Sequence, residues 1–195
     1  MTDVILFHHA QGLTTGVRGF ADRLATAGHH VTVPDLYDGA TFDTLDEGVA
    51  HAAQIGVPSI LQRGRAAVDG LPDAVVYAGF SLGVLPAQML AQTRPGARGA
   101  VLVSACVPPS EFGGPWPDGV PLQMHAMEAD ALLLADGDLD VAHNLAGTVA
   151  GAELHLYPGD GHLFADSSLP GHDAAAAALL TDRVLVFLDG IGEHA

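Results

Sequence analysis

The chain has 195 residues, 49% of them hydrophobic, and a formal net charge of −16, because 23 acidic residues face only 7 basic ones, all arginine. This length suits one domain with a full core, and the acidity argues against nucleic acid or an anionic membrane surface as a partner. No apolar stretch of about eighteen residues predicts a membrane span, no basic leader precedes the first apolar run, and Cys106 has no disulfide partner, so we expect a single cytoplasmic domain over residues 1–195.

The first half of the chain alternates between runs typical of strands and runs with a helical period. In chain order they predict the strand Val4–His8, the helix Thr15–Ala27, the strand His30–Val33, the helical stretch Leu45–Val68 and the strand Ala74–Ala78. Gly28 closes the first helix, and Gly56-Val57-Pro58 predicts a break in the second. The strands are almost continuously apolar, which is typical of strands covered on both faces.

The second half continues this alternation. After a helix that follows Ser81, the pattern predicts the strand Gly99–Ser104, the loop Pro108–Gly119, the strand Pro121–His125, the helix Leu139–Ala150, the strand Glu153–Tyr157 and the helix Ala174–Leu188. Alternating strands and helices indicate an α/β fold, with a doubly wound, mostly parallel sheet of six strands and helices on both faces. Such sheets bind ligands beyond the carboxyl ends of their strands.

The segment VVYAGFSLGVLPAQML, residues 75–90, places a serine where a strand gives way to a helix. Gly79-Phe80-Ser81-Leu82-Gly83 has the pattern of a nucleophile elbow, a turn so sharp that side chains two residues either side of the serine would collide. The turn would lift the Ser81 hydroxyl into the cleft, and the Leu82 amide would be free to donate to an oxyanion. Because the pattern also arises by chance, a glycine-rich turn with an idle serine is the alternative.

A serine nucleophile needs a histidine base that a carboxylate orients, and on this type of fold the chain order is serine, acid, histidine. The histidines after Ser81 are His125, His143, His155, His162, His172 and His194. His162 stands in YPGDGHLF, a loop directly after the last predicted strand and therefore at the carboxyl edge of the sheet. The others fall in predicted strands or helices, at the start of the last helix or at the terminus, so His162 is the predicted base.

The stretch MEADALLLADGDLD offers the acid several carboxylates: Glu128, Asp130, Asp136, Asp138 and Asp140. Asp130 lies shortly after the strand Pro121–His125 ends, at the edge where the acid is needed. Asp138 stands directly before the helix predicted from Leu139, where a carboxylate caps first-turn amides. Asp130 is therefore the preferred acid and Asp138 the alternative.

Several segments together resemble the dienelactone hydrolase family of α/β-hydrolases, over nearly the whole chain. VILFHHAQGL is similar to the family's first core strand and oxyanion loop, GHHVTVPDLYDG to the end of its second strand, GFSLG to its elbow, PLQMHAMEAD to its acid-bearing strand end, and LYPGDGHLF to its histidine loop. The resemblance implies an α/β-hydrolase fold in which Ser81, Asp130 and His162 form a catalytic triad. It also implies that the backbone amides of Ala10 and Leu82 form the oxyanion hole.

Three positions depart from the pattern of the family. The namesake enzymes have a cysteine at the elbow, where this chain has Ser81, and a glutamate that interacts with that cysteine is matched here by His9. An arginine that holds the carboxylate of dienelactone in the family is matched here by Asp166, and we expect no arginine of this chain near a cleft-forming loop. We therefore expect a neutral ester or lactone, rather than dienelactone, as the substrate.

Four further residues are candidates for the substrate pocket. His9 and Gln11 lie in the loop after the first strand, and Phe112 and Trp116 lie in the loop after the fourth. A loop histidine bonded to backbone and aromatic packing beneath the loop are the alternatives. The two His-His pairs near the start of the chain have no cysteine or carboxylate framework around them, so we expect neither a metal nor another cofactor.

The sequence thus predicts a hydrolase that cleaves a small ester or lactone through an acyl-enzyme intermediate. The same residues support acyl transfer or perhydrolysis, which differ only in the acceptor that reaches the acyl-enzyme. A catalytically idle hydrolase fold that binds a small molecule or a partner is the alternative from another functional class. The sequence gives no oligomeric state.

Overall fold

A computed structural model describes residues 1–193, which form six strands and seven α-helices. The strands are β1 Asp3–Phe7, β2 His30–Thr32, β3 Val75–Phe80, β4 Gly99–Val103, β5 Leu122–Met127 and β6 Ala152–Tyr157. The helices are α1 Thr15–Thr26, α2 Leu45–Ile55, α3 Val57–Ala66, α4 Val84–Thr93, α5 Ala131–Asp136, α6 Asp138–Thr148 and α7 Ala174–Glu193.

The strands form one sheet in the order β2-β1-β3-β4-β5-β6, and every neighbouring pair among them is parallel. The strand order reverses between β1 and β3, where Phe7 pairs with Gly79 at the carboxyl ends of both strands. In a doubly wound sheet this reversal opens a crevice at the strand ends. The predicted fold class is confirmed, and the sheet is more uniformly parallel than the sequence required.

Two hydrophobic clusters cover the two faces of the sheet. One face packs against α1 and α7, with Phe20 and Leu180 among its buried residues. The other face packs against α2, α3, α4 and α6, with Ile60 and Met89 among its buried residues. Successive strand residues such as Val76 and Tyr77 alternate between the clusters, because side chains point to opposite faces along a strand. Burial on both faces explains why the strands are so apolar.

The predicted elements differ from the observed ones mainly between β5 and β6. The break in the long second helix is confirmed at Gly56, which has a φ of 81° and separates α2 from α3. The short helix α5 was not predicted, because its six residues, ALLLAD, are too few to establish a helical period. The loop after β4 contains a short 3₁₀ helix over Pro109–Phe112.

Across residues 1–193, none of the helices combines the length and the apolar character needed to cross a membrane.

Candidate active site

The turn after β3 has the geometry of a nucleophile elbow. Ser81 has a φ of 47°, which is a strained backbone conformation for a residue with a side chain. A Cβ atom at Gly79 would overlap the carbonyl of Gly83, and one at Gly83 would overlap the carbonyl oxygen of Phe7 in β1. Both glycines are therefore needed, one so that the chain can fold back on itself and the other so that the turn can lie against β1.

The elbow places Ser81 beside the predicted base and acid. The Ser81 hydroxyl lies 2.8 Å from Nε2 of His162, and Nδ1 of His162 lies 2.7 Å from Oδ2 of Asp130. Ser81 follows β3, Asp130 follows β5 and His162 follows β6, so the three side chains meet at the carboxyl edge of the sheet. The carboxylate can only accept, so Nδ1 of His162 carries the proton and Nε2 is free to accept the hydroxyl proton of Ser81.

The predicted acid is held in place by a helix that was not predicted from the sequence. Asp130 is the N-cap of α5, and its Oδ1 accepts hydrogen bonds from the amides of Leu132 and Leu133. The other carboxylate oxygen, Oδ2, bonds to His162. Asp130 is almost completely buried, and each of its two carboxylate oxygens has a hydrogen-bond donor, as a buried polar group requires.

Asp138 does not form the helix cap that the sequence predicted. It is the first residue of α6, whose N-cap is Gly137, and its Oδ2 instead accepts from the amide of Cys106 at 2.9 Å. Burial raises the pKa of the Asp138 carboxyl, and the hydrogen bond from Cys106 partly offsets this effect. Asp138 thus fixes the loop after β4, and it is not bonded to His162.

A cleft of about 460 Å³ opens in front of Ser81 and His162. Its apolar walls come from α2, the elbow, the loop after β4 and α5, and they include Leu45, Val49, Leu82, Leu85, Val107 and Leu132. Its charged groups are the carboxylates of Asp136 and Asp138, and no arginine contributes to the lining. The cleft is therefore an apolar pocket with a negative edge.

Ala10 and Leu82 both line this cleft beside Ser81. Leu82 lies in the 3₁₀ turn that leads into α4, and Ala10 follows β1. A Cβ atom at Gly48 of α2 would overlap the carbonyl oxygen of Ala10, so α2 packs tightly against the backbone there. Two loops that follow different strands thus bring the predicted oxyanion residues Ala10 and Leu82 to the cleft beside Ser81.

The four predicted pocket residues do not line this cleft. His9 is buried and bonds to Asp166, and the Gln11 side chain donates to the carbonyl of Phe42 at 3.0 Å. Trp116 is buried in the core and donates to the carbonyl of Val120 at 2.7 Å, while Phe112 packs against the same core. These placements correct the pocket assignment, because each side chain satisfies its packing or hydrogen bonding inside the protein.

His9 and Asp166 form a second histidine–aspartate pair, which the sequence did not predict. His9 Nε2 lies 2.7 Å from Oδ2 of Asp166, and both residues are buried. Burial acts to raise the pKa of Asp166, but hydrogen bonds from His9, Ser168 and Thr14 outweigh it and hold the pKa below its usual value. The sequence did contain a signal for this pair, because both positions depart from the family pattern and each departure changes the charge at its site.

The remaining histidines play other roles. His172 lies before α7 and bonds to the carbonyl of Phe164 through Nδ1, while Asp173 caps that helix. His125 is buried between Gln123 and Tyr157 in the sheet, and burial holds its pKa well below the usual value. His194 falls outside residues 1–193, and within that range no group of three potential ligands could hold a metal ion.

Solved structures with the same fold come from several hydrolases. A dienelactone hydrolase-like promiscuous phosphotriesterase from metagenomic libraries is 21% identical, with a TM-score of 0.75 over 98% of this chain and 87% of the other. A dienelactone hydrolase from Anabaena variabilis is 22% identical, with a TM-score of 0.64 over 93% of this chain and 84% of the other. A cold-adapted esterase from an Arctic intertidal metagenomic library is 17% identical, with a TM-score of 0.65 over 96% of this chain and 82% of the other.

These likenesses confirm the α/β-hydrolase fold. No curated protein matches the sequence. The family model of the dienelactone hydrolases, by contrast, matches residues 1–192. The chain therefore belongs to the dienelactone hydrolase family and is a hydrolase of the α/β superfamily.

Proposed function

We propose that the protein cleaves small esters or lactones through an acyl-enzyme intermediate, with Ser81 as the nucleophile. The observation that carries this proposal is the chain of two hydrogen bonds from Ser81 through His162 to Asp130, at the mouth of an apolar cleft. Three groups in these roles convert a weak hydroxyl nucleophile into an effective one. The alternative of an idle serine in a glycine-rich turn would not require this alignment.

In the first half of the reaction, the Ser81 hydroxyl attacks the substrate carbonyl carbon and its proton moves to Nε2 of His162. The carbonyl electron pair moves onto oxygen, where the amides of Ala10 and Leu82 donate to the developing charge. Asp130 keeps the imidazole in the required orientation and stabilises the imidazolium. Collapse of the tetrahedral intermediate breaks the bond to the alcohol oxygen, which takes the proton from His162.

In the second half, a water molecule gives a proton to Nε2 of His162 as it attacks the acyl carbon. The second tetrahedral intermediate collapses, the bond to Ser81 breaks, and the proton returns from His162 to the serine oxygen. The product is a carboxylic acid, or a hydroxy acid when the substrate is a lactone. An alcohol or peroxide that enters in place of water would give acyl transfer or perhydrolysis.

The lining of the cleft supports a substrate without negative charge. A carboxylated substrate would meet the carboxylates of Asp136 and Asp138 and would find no arginine with which to pair. Asp166, which matches the family's substrate-binding arginine, lies in the protein interior instead. A neutral ester or lactone fits the apolar walls without these penalties.

The Ser81→Ala variant tests the mechanism. It should retain the fold and lose several orders of magnitude in turnover of p-nitrophenyl esters and small lactones. A fluorophosphonate probe should label the wild type and a control variant, Ser59→Ala on the exposed surface of α3, but not Ser81→Ala. Retention by folded Ser81→Ala of more than about a tenth of the wild-type turnover would exclude the serine mechanism.

A further inference from the structure

We propose that Asp166 is a positioning residue that ties the oxyanion loop, residues 8–12, to the histidine loop, residues 158–173, so that the oxyanion donor and the base are aligned together. The inference rests on the proposed function, in which the Ala10 amide and the His162 ring act on the same substrate carbonyl. It assigns a role to a buried carboxylate that lies outside the cleft.

Asp166 is saturated with hydrogen bonds from separate parts of the chain. Its Oδ2 accepts from Nε2 of His9 at 2.7 Å and from the hydroxyl of Thr14. Its Oδ1 accepts from the amide of Ser168 at 2.8 Å and from the hydroxyl of Ser168 at 2.6 Å. Such charge-assisted bonds stabilise a carboxylate away from water, and each fixes the geometry of its donor.

The bond to His9 acts on the oxyanion loop. Nδ1 of His9 accepts from the amide of Gln11 at 3.2 Å, so the proton of the neutral ring is on Nε2, which donates to Asp166. Ala10 stands between these two residues. The His9 ring therefore spans the peptide unit that carries the candidate oxyanion amide and anchors it to Asp166.

The same carboxylate acts on the histidine loop. Asp166 is four residues after His162, and its amide donates to the carbonyl of Leu163 at 3.0 Å. The Ser168 hydroxyl, which donates to Asp166, accepts in turn from the amide of Gly16 at 3.2 Å. The loop that carries His162 is thus closed around Asp166 and fastened to the first turn of α1.

The backbone of α1 packs directly against the carboxylate of Asp166. A Cβ atom at Gly16 would overlap the Asp166 carboxyl group, so the backbone of α1 lies directly against it. Thr14, which donates to Asp166, is also the N-cap of α1 and accepts from the amide of Val17. Three segments therefore converge on one carboxylate, and their relative positions depend on it.

The Asp166→Asn variant tests this coupling. The amide group keeps an acceptor for Ser168 but presents N–H groups, instead of an oxygen, to His9 and Thr14. Because the Ala10 amide acts on charge that develops in the transition state, kcat should fall about 10- to 100-fold while KM changes by no more than about twofold. The affinity for a trifluoromethyl ketone, which forms an oxyanion adduct with serine, should fall by a similar factor.

A matched control separates positioning from a general loss of stability. Thr181→Val removes another buried hydrogen bond, from the Thr181 hydroxyl to the carbonyl of Ala177 in α7, and should leave kcat unchanged. Ser168→Ala removes one donor to Asp166 without creating an unpaired group on the carboxylate, and should lower kcat in the same direction by less. It replaces Asp166→Asn if that variant does not fold.

A spectroscopic measurement keeps the inference independent of activity. In NMR spectra, the amide resonance of Ala10 and the ring resonances of His162 should shift together in Asp166→Asn or Ser168→Ala, and not in Thr181→Val. Unchanged resonances, an unchanged kcat or a loss confined to KM would overturn the positioning role. If the wild type hydrolyses no ester, the proposed function fails, while the NMR result still decides whether Asp166 couples the two loops.

Discussion

The protein contains two histidine–aspartate pairs with nearly the same geometry and different surroundings. In both pairs a ring nitrogen lies 2.7 Å from a carboxylate oxygen. The side chain of His162 is 15% exposed, and its other nitrogen faces the hydroxyl of Ser81. The side chain of His9 is 1% exposed, and its other nitrogen accepts from the backbone amide of Gln11.

The comparison teaches that the partner of the second ring nitrogen determines what such a pair can do. At His162 this nitrogen is next to a mobile proton and an open cleft, so proton transfer can occur. At His9 it is occupied by a backbone N–H group that has no proton to give up at neutral pH. The first arrangement suits chemistry, and the second suits the fixing of a loop.

The largest expected difference is in reaction rate. Asp130→Asn should lower kcat by about four orders of magnitude, because the ring loses the acceptor that sets its tautomer and stabilises the imidazolium. Asp138→Asn, which keeps an acceptor for the Cys106 amide, should leave kcat within a few-fold of the wild type. Steady-state kinetics on one ester measure both variants. If Asp138→Asn is the one that abolishes turnover, the assignment of the acid is wrong.

A third histidine extends the comparison, because it is buried without a carboxylate in hydrogen-bonding contact. Nδ1 of His8 donates to the His9 carbonyl and Nε2 accepts from the Leu36 amide, so the neutral ring satisfies both groups. Burial lowers the pKa of His8 to about 4. The pKa of this ring in the unfolded chain is about 6.5, so below that pH the unfolded chain binds more protons than the folded protein. The free energy of unfolding should therefore decrease as the pH is lowered from about 6.5 to about 4, by about 3 kcal/mol at most.

Urea unfolding at several pH values between 4 and 7 measures this effect. The His8→Gln variant should show a shallower decrease in the free energy of unfolding over the same range, because it removes the titrating ring. His29 and His125, whose pKa values burial also lowers, should add to the slope in the same direction. Identical slopes for His8→Gln and the wild type would contradict the assignment to His8.

The same Asp→Asn substitution in the two pairs should affect the free energy of unfolding in the opposite order to its effect on kcat. Asp166→Asn should lower the free energy of unfolding by about 2 kcal/mol, because a buried amide then faces the donors of His9 and Thr14. Asp130→Asn should cost less than about 1 kcal/mol, because asparagine caps a helix about as well as aspartate. Denaturant midpoints at pH 7 test this order, and equal losses in the two variants would remove the distinction between the pairs.

The smallest expected effect is the dependence of kcat/KM on the charge of the substrate that reaches the pair of His162 and Asp130. A neutral ester should be turned over with at least about tenfold higher kcat/KM than a matched carboxylated ester, about 1.4 kcal/mol in transition-state binding. Added salt should narrow the ratio by screening the acidic protein from the substrate. A preference for the carboxylated ester at low salt would mean that an arginine reaches the cleft, with Arg63 and Arg65 of α3 as the candidates.

The sequence predicted what local patterns encode and missed what only the folded chain brings together. The strands follow from apolar runs, and the break at Gly56 and the elbow around Ser81 follow from short-range sterics; the structure contains all of these features. The bond between His9 and Asp166 joins residues 157 positions apart, and no local period reports such a contact. The short helix α5 was missed for a different reason, because its six residues are too few to establish a helical period.

The negative edge of the cleft also bears on how a catalytic cycle would end. Hydrolysis would turn an uncharged ester or lactone into a carboxylic acid that is ionised at neutral pH, and this anion would form beside Asp136 and Asp138 with no arginine in the lining. These carboxylates would not repel the neutral substrate, but they would repel the anionic product. In the proposed reaction, release of the acid should therefore be favoured, and the accumulating acid should be a poor inhibitor of its own formation.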